Sequence, residues 1–183
     1  MLPLVFLPDT PALLAGRGAA FEKRLGLLRG AGLTALRIVD GMAEDSALDG
    51  MRLVFGAGLS PVESEDLAAA ARGRRIPVNI EDVPHLCDVH VPALVRRGAL
   101  LLTVSTGGAA PGFASQLRVW LEDAFGPEWA GRLEEAAALR ARLRAAGAAP
   151  AEVIRQLRAQ LDDAQWLILP KPQDSTETKP AAG

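Results

Sequence analysis

From residue 12 to residue 80 the chain alternates short apolar runs with amphipathic stretches, and Gly, Pro or Asp marks the switches. Residues 12–15, 33–39, 51–55 and 76–80 read as strands, and residues 19–29 and 62–72 read as helices. In the first helix Phe21, Leu25 and Leu28 share a stripe, and Gly30 and Gly32 stop it. The second carries Glu63, Glu65 and Asp66 in its first turns, where the helix dipole favours negative charge. Strands linked through helices pair in parallel and need helices over the sheet. The expected class is therefore α/β. Residues 3–7, 89–91 and 100–105 read as further short strands, and the polar residues 41–50 as a loop.

After Pro111 the pattern becomes helical. Residues 112–125, 129–146 and 149–164 read as amphipathic helices, separated by Gly126-Pro127 and by residues 147–150. Their apolar stripes are expected to serve as core or subunit contacts. Residues 165–169 form a last apolar patch, and residues 170–183 have the composition of a disordered tail.

Composition narrows the function classes. With 20 Lys and Arg against 22 Asp and Glu, the formal net charge is −2, so a nucleic-acid partner is not expected. The single cysteine, Cys87, excludes an intrachain disulfide and a cysteine-based zinc site, and fits a reducing compartment. The first residues are apolar but have no basic leader and meet Pro8 and Pro11 early, unlike a signal peptide. No apolar run is long enough to span a bilayer. A cytoplasmic protein with no membrane partner is the expectation.

Candidate sites gather where strands end. Gly16-Arg17-Gly18-Ala19 follows the first strand and opens a helix, the start of a dinucleotide-binding turn. Asp40 ends the next strand, where a carboxylate holds the ribose hydroxyls of NAD in Rossmann folds. Phe21 stands where a small residue usually allows close helix packing, and a tight turn without a cofactor is the competing reading. Asn79-Ile80-Glu81-Asp82 places carboxylates just past a buried strand, where partial desolvation suits proton transfer. His85 and His90 are the only histidines, and their spacing makes a poor metal site, so no metal ligands are assigned. Ser105-Thr106-Gly107-Gly108 offers hydroxyls and bare backbone N–H groups for an anion. Arg96 and Arg97 precede a glycine turn and could clamp carboxylates. No nucleophile elbow is present.

Taken in order, the Gly-x-Gly turn, Ile-Pro-Val-Asn-x-x-Asp, Leu-Cys-Asp-x-x-x-Pro-Ala, Arg-Gly and Ser-Thr-Gly-Gly-Ala resemble the precorrin-2 dehydrogenase / sirohydrochlorin ferrochelatase family. This is the dehydrogenase–chelatase portion of siroheme synthase. The resemblance spans residues 2–129 and is most specific over 76–111. It implies a Rossmann-like NAD-binding domain over residues 1–82 (shortened here), a dimerisation region over 83–125, a helical C-terminal region over 126–169 and a tail over 170–183. It implies a homodimer that oxidises precorrin-2 with NAD and, in many members, inserts Fe2+ as a second substrate. The family's essential aspartate maps to Asp82, its glycine turn to Gly16 and Gly18, and its hydroxyl motif to Ser105 and Thr106. The tetrapyrrole is a polycarboxylate, so Arg96, Arg97 or Arg118 would be its electrostatic partners. No methyltransferase module follows, so a standalone form is expected.

Four departures fall on the nucleotide half. Arg17 replaces a glycine, Phe21 replaces a small residue, the segment from Asp40 to Met51 is short, and Gly58-Leu59 replaces a polar pair. Weakened NAD affinity is the expectation they carry. Two other readings stay open: a tetrapyrrole binder or chelatase with a degenerate nucleotide turn, and a non-catalytic Rossmann-like regulatory module.

Overall fold

The computed structural model describes residues 5–166. They divide into two compact units. One comprises the chain up to Leu94 together with Thr103–Val119, and the other comprises Val95–Leu102 together with the chain from Trp120 onward.

The first unit holds a four-stranded parallel sheet. Its strands are β1 (Ala12–Gly16), β2 (Leu36–Asp40), β3 (Leu53–Ala57) and β4 (Val78–Ile80), in spatial order β2-β1-β3-β4. Helix α1 (Gly18–Gly30) connects β1 to β2, and α2 (Pro61–Gly73) connects β3 to β4. Successive side chains of β1 point to opposite faces, as strand geometry requires. Leu13 and Ala15 join Leu67, Ala68 and Ala71 of α2 in one core cluster. Ala12 and Leu14 join Phe21, Leu25 and Leu28 of α1 in the other. Every residue of β1 and of β3 is buried, which explains why both strands read as continuous apolar runs rather than alternating ones. Phe21, the departure in the glycine turn, is only 7% exposed and fills the α1 cluster beside Phe55 and Ala57.

The strand order changes direction between β1 and β3. Their carboxyl ends make the crevice where open α/β sheets bind ligands. β2 is an edge strand, and Ile38 on it is exposed.

In the second unit the Phe125 and Trp129 rings make a tilted contact with centroids 4.9 Å apart, and the Arg132 guanidinium lies over Trp129. Helices α4 (Trp129–Ala145) and α5 (Pro150–Asp163) pack together there. β5 (Ala93–Arg97) and β6 (Leu100–Val104) form a hairpin, and α3 (Pro111–Ala124) follows it.

Two expected strands do not form. Val5–Leu7 is irregular, and the rest of the 3–7 run lies outside the described residues. Residues 89–91 form no strand: Val89 lies in a bend, and His90 and Val91 are irregular. The carbonyl of Val78 receives the N–H groups of both Asp88 and Val89, which ends pairing along β4. Conversely, β5 is a strand beyond those expected, and Arg96 and Arg97, which precede the glycine turn as expected, are its last two residues. The apolar patch at 165–169 and the tail at 170–183 fall almost wholly outside the described residues.

Candidate functional site

Two backbone turns meet at the crevice. Gly16 has φ of +147°, and a β carbon there would sit 1.7 Å from the carbonyl oxygen of Ala57. Gly58 has φ of +69°, and a β carbon there would sit 2.0 Å from the carbonyl oxygen of Arg17. The Arg17 N–H donates to the Ala57 carbonyl at 3.1 Å. The turns after β1 and β3 are thus pressed against each other without side chains between them.

The two helices that leave these turns differ at their N-termini. Ser60 and Glu63 form a full capping box on α2, with Pro61 at the first helical position. By contrast, Arg17 caps α1 with no side-chain hydrogen bond, and no acidic residue lies in its first turn. The first N–H groups of a helix have no partner within the helix. At α1 they are left to a ligand, and a phosphate suits them. The residues present therefore fit the pyrophosphate of a dinucleotide. Asp40 faces Gly16 in the β1–β2 register and is exposed, at the position of a ribose-binding carboxylate.

Arg17 has a second role. Its guanidinium pairs with Glu63 and lies against Gly41, which itself bonds back to Gly16. The Ser60 N–H and the Arg17 guanidinium hold the Glu63 carboxyl down from 4.5 to about 2. A carboxyl with a depressed folded-state pKa stabilises the fold at pH above its unfolded value. The Glu63 contribution is then fully present above pH 4.5 and is lost as the pH falls toward 2. Glu63→Gln is expected to flatten that acid limb in urea titrations collected at a series of pH values. An unchanged limb would show that the cap does not titrate with folding.

The second half of the site begins at the end of β4. The Glu81 N–H donates to the Gly56 carbonyl, and the chain then turns through Asp82, whose φ is +61°. Left-handed backbone is uncommon for a residue with a β carbon, and Asp and Asn tolerate it best. The Cys87 thiol fastens this turn. It accepts from the Ile80 N–H at 3.3 Å and lies 3.1 Å and 3.4 Å from the carbonyl oxygens of Ile80 and Val83. Asn79 is buried, and its amide donates to the Val89 carbonyl at 2.9 Å, steadying the segment that leads to His90.

Asp82 lines a cleft of about 380 Å³ contained within the first unit. Asn79, His90, Ser105, Thr106 and Gly108 line it too. Asp82 is exposed, so the fold alone does not withdraw its carboxylate from water. A planar ligand seated in the cleft would do so. The Ser105 and Thr106 hydroxyls accept hydrogen bonds from the N–H groups of Gly107 and Ala110, at 3.3 Å and 3.2 Å. They therefore shape the loop in front of α3.

Other candidates lie elsewhere. Gly107 is not among the lining residues, and neither are Arg96 and Arg97. Arg97 donates to the carbonyls of Phe125, Glu122 and Arg96, which places it at the C-terminal end of α3, where a cation is favourable. The Nε of Arg96 is buried without a hydrogen-bond partner. His85 lies on the short 3-10 turn Pro84–Leu86 and does not reach the cleft lining. Among the described residues no group of three or more His, Cys, Asp or Glu could hold a metal ion. No helix among them is long and apolar enough to cross a membrane.

Sequence reasoning missed Arg24. Its side chain is 11% exposed, donates to the Asn79 amide oxygen at 3.0 Å and lines the cleft. A signal was present, since Arg24 stands on the same helical stripe as Phe21, Leu25 and Leu28. A charge on a buried stripe is the informative exception.

The fold is of the Rossmann-like α/β class, with its glycine turns at the crevice where such sheets bind ligands. Residues 9–93 match the family model described as "Putative NAD(P)-binding". The siroheme synthase of Methylococcus capsulatus is 36% identical over 160 residues, covering 76% of this chain and 34% of that protein. The siroheme synthase of Methylobacillus flagellatus is 33% identical over 151 residues, covering 72% and 32%. The chain thus spans about a third of the length of the curated relatives it matches. In fold it is similar to the solved structure of "SirC, precorrin-2 dehydrogenase", with a TM-score of 0.67, 17% identity and coverage of 92% of this chain and 93% of that one. The chain is thus similar to siroheme synthases over about three quarters of its own length, in keeping with the family that the motifs in residues 76–111 resemble.

Proposed function

We propose that this chain oxidises precorrin-2 to sirohydrochlorin in siroheme biosynthesis with NAD as cofactor, and that the same cleft admits Fe2+ as the substrate of a chelatase step. The observation that carries the reading is Asp82, held in a left-handed turn where β4 ends and opening onto a cleft in the unit that also bears the glycine crevice.

Oxidation takes a hydride and a proton from the substrate. Bound NAD supplies the hydride acceptor. Asp82 takes the proton, and the turn fastened by Cys87 keeps its carboxylate at the cleft. Gly16, Gly18 and Ala19 present backbone to the pyrophosphate, and Asp40 presents its carboxylate to the ribose. For metal insertion the pyrrole N–H protons must leave, and Asp82 can accept them in the same way. Spectra of the purified protein with precorrin-2, with and without NAD and Fe2+, test the reading. Sirohydrochlorin formed only with NAD supports it. Metallation of supplied sirohydrochlorin without any oxidation would favour the chelatase-only alternative, and no spectral change would favour the regulatory one.

The Arg17 side chain, paired with Glu63 and resting on Gly41, lies across the crevice. It must move before a pyrophosphate can settle on α1. Arg17→Gly is therefore expected to tighten NAD binding about tenfold, equivalent to about 1.4 kcal/mol, in calorimetric titration. Weaker binding in that variant would show that Arg17 holds phosphate instead.

A homodimer completes the reading. On α3, Phe113, Leu117 and Trp120 are exposed at helical spacing, an apolar stripe suited to a subunit contact.

A further inference from the structure

We infer that Arg24 is the residue that recognises a side-chain carboxylate of the tetrapyrrole substrate. The inference rests on the function proposed above and names the electrostatic partner inside its cleft.

Among the described lining residues Arg24 is the only Arg or Lys. It starts on α1, passes the ring of Phe55 at 5.8 Å and reaches the Asn79 amide oxygen at the end of β4. A guanidinium has five N–H donors in a planar fork. One bond of Arg24 goes to a neutral amide. The Glu81 carboxylate is 3.8 Å away, beyond hydrogen-bonding distance, and its second oxygen is buried without a partner. Burying a cation is costly unless it is paired and hydrogen-bonded. Arg24 is thus a largely buried cation, held in place by its surroundings, with fork donors left for an anion entering the cleft.

Two anions belong to the proposed reaction, a substrate carboxylate and the cofactor pyrophosphate. Position favours the carboxylate. The pyrophosphate site is the turn after β1, whereas the head of Arg24 lies at β4, two strands away. At the usual strand spacing that is about 10 Å. Asp82 follows β4 directly. A macrocycle covering Asp82 would bring its peripheral carboxylates to the Arg24 fork, in the bidentate geometry that guanidinium favours. Glu81 is the resident counter-charge that a carboxylate has to outcompete.

The test titrates sirohydrochlorin into the full chain by tryptophan fluorescence and NAD by calorimetry. The variants are Arg24→Met, Arg24→Lys, Glu81→Gln and the double change R24M with E81Q. The double variant leaves no unpaired buried carboxylate, so it keeps the fold if R24M alone does not. Both Met variants are expected to bind sirohydrochlorin about 10- to 100-fold more weakly, as loss of charge-assisted hydrogen bonds requires. NAD affinity should stay within about twofold of wild type. Arg24→Lys should recover only part of the loss, because an ammonium lacks the fork. Glu81→Gln should tighten sirohydrochlorin binding more when Arg24 is present than beside Arg24→Met, a difference that a purely structural Arg24 would not produce. Wild-type sirohydrochlorin affinity in the double variant would overturn the assignment. So would a parallel loss of NAD affinity in a folded variant, which would give Arg24 to the cofactor. Wild-type protein that binds no sirohydrochlorin would instead overturn the proposed function, and the assignment with it.

Discussion

Gly16→Ala is expected to destabilise the first unit by at least about 3 kcal/mol, a large share of the 5–15 kcal/mol that holds a typical domain together. Two costs add. The backbone at φ of +147° is strained for any residue with a β carbon, and that carbon would lie 1.7 Å from the Ala57 carbonyl oxygen. Neither side can give way easily. β1 and β3 are paired from Ala12↔Leu53 to Ala15↔Gly56, and both strands are buried on both faces. Gly58→Ala should behave similarly, because its β carbon would meet the Arg17 carbonyl oxygen at 2.0 Å. Gly26→Ala is the control. It lies within α1 with nothing within 4 Å of the added carbon, so it should stabilise the protein by up to about 1 kcal/mol. Urea titration of the three variants checks this. Gly16→Ala within about 0.5 kcal/mol of wild type would show that the two turns do not touch in solution.

Asp82→Asn is expected to lower the rate of precorrin-2 oxidation by about 10²- to 10⁴-fold, the range associated with removing a general acid or base. Asn is the informative replacement. It keeps the shape and tolerates the left-handed backbone at φ of +61°, so the turn and its Cys87 contacts should survive. Only the proton acceptor is lost. The loss should therefore fall on kcat, with sirohydrochlorin affinity and melting temperature near those of wild type. Asp82→Ala mixes this effect with backbone strain and would be harder to interpret. A kcat for Asp82→Asn within a few-fold of wild type would assign proton removal to another group.

The fold was legible where one physical rule dominated. β1 and β3 are buried on both faces, so their apolar runs had no other explanation at that length. The turn at Glu81–Asp82 was legible because an acidic pair ends an apolar strand. What stayed hidden depended on partners distant in sequence. Residues 89–91 alternate like a strand, yet the Val78 carbonyl already receives two N–H groups and leaves no ladder to extend. Arg96 and Arg97 look alike in sequence. Only the fold shows Arg97 bound to the carbonyls at the end of α3. Lys23 and Arg24 are adjacent cations in the sequence, yet Lys23 is 82% exposed and Arg24 is 11% exposed. The Arg17–Glu63 pair spans turns that follow different strands, and no local spacing announces it.

The central claim is that the glycine crevice and the Asp82 cleft act on one substrate together. Anaerobic mixing of the purified chain with precorrin-2 and NAD tests it most directly, with NADH followed by fluorescence and sirohydrochlorin by absorbance. The account predicts that both products appear in equal amounts, and that omitting NAD stops both. Tetrapyrrole and NAD bound by the wild-type chain, with neither product formed, would contradict it.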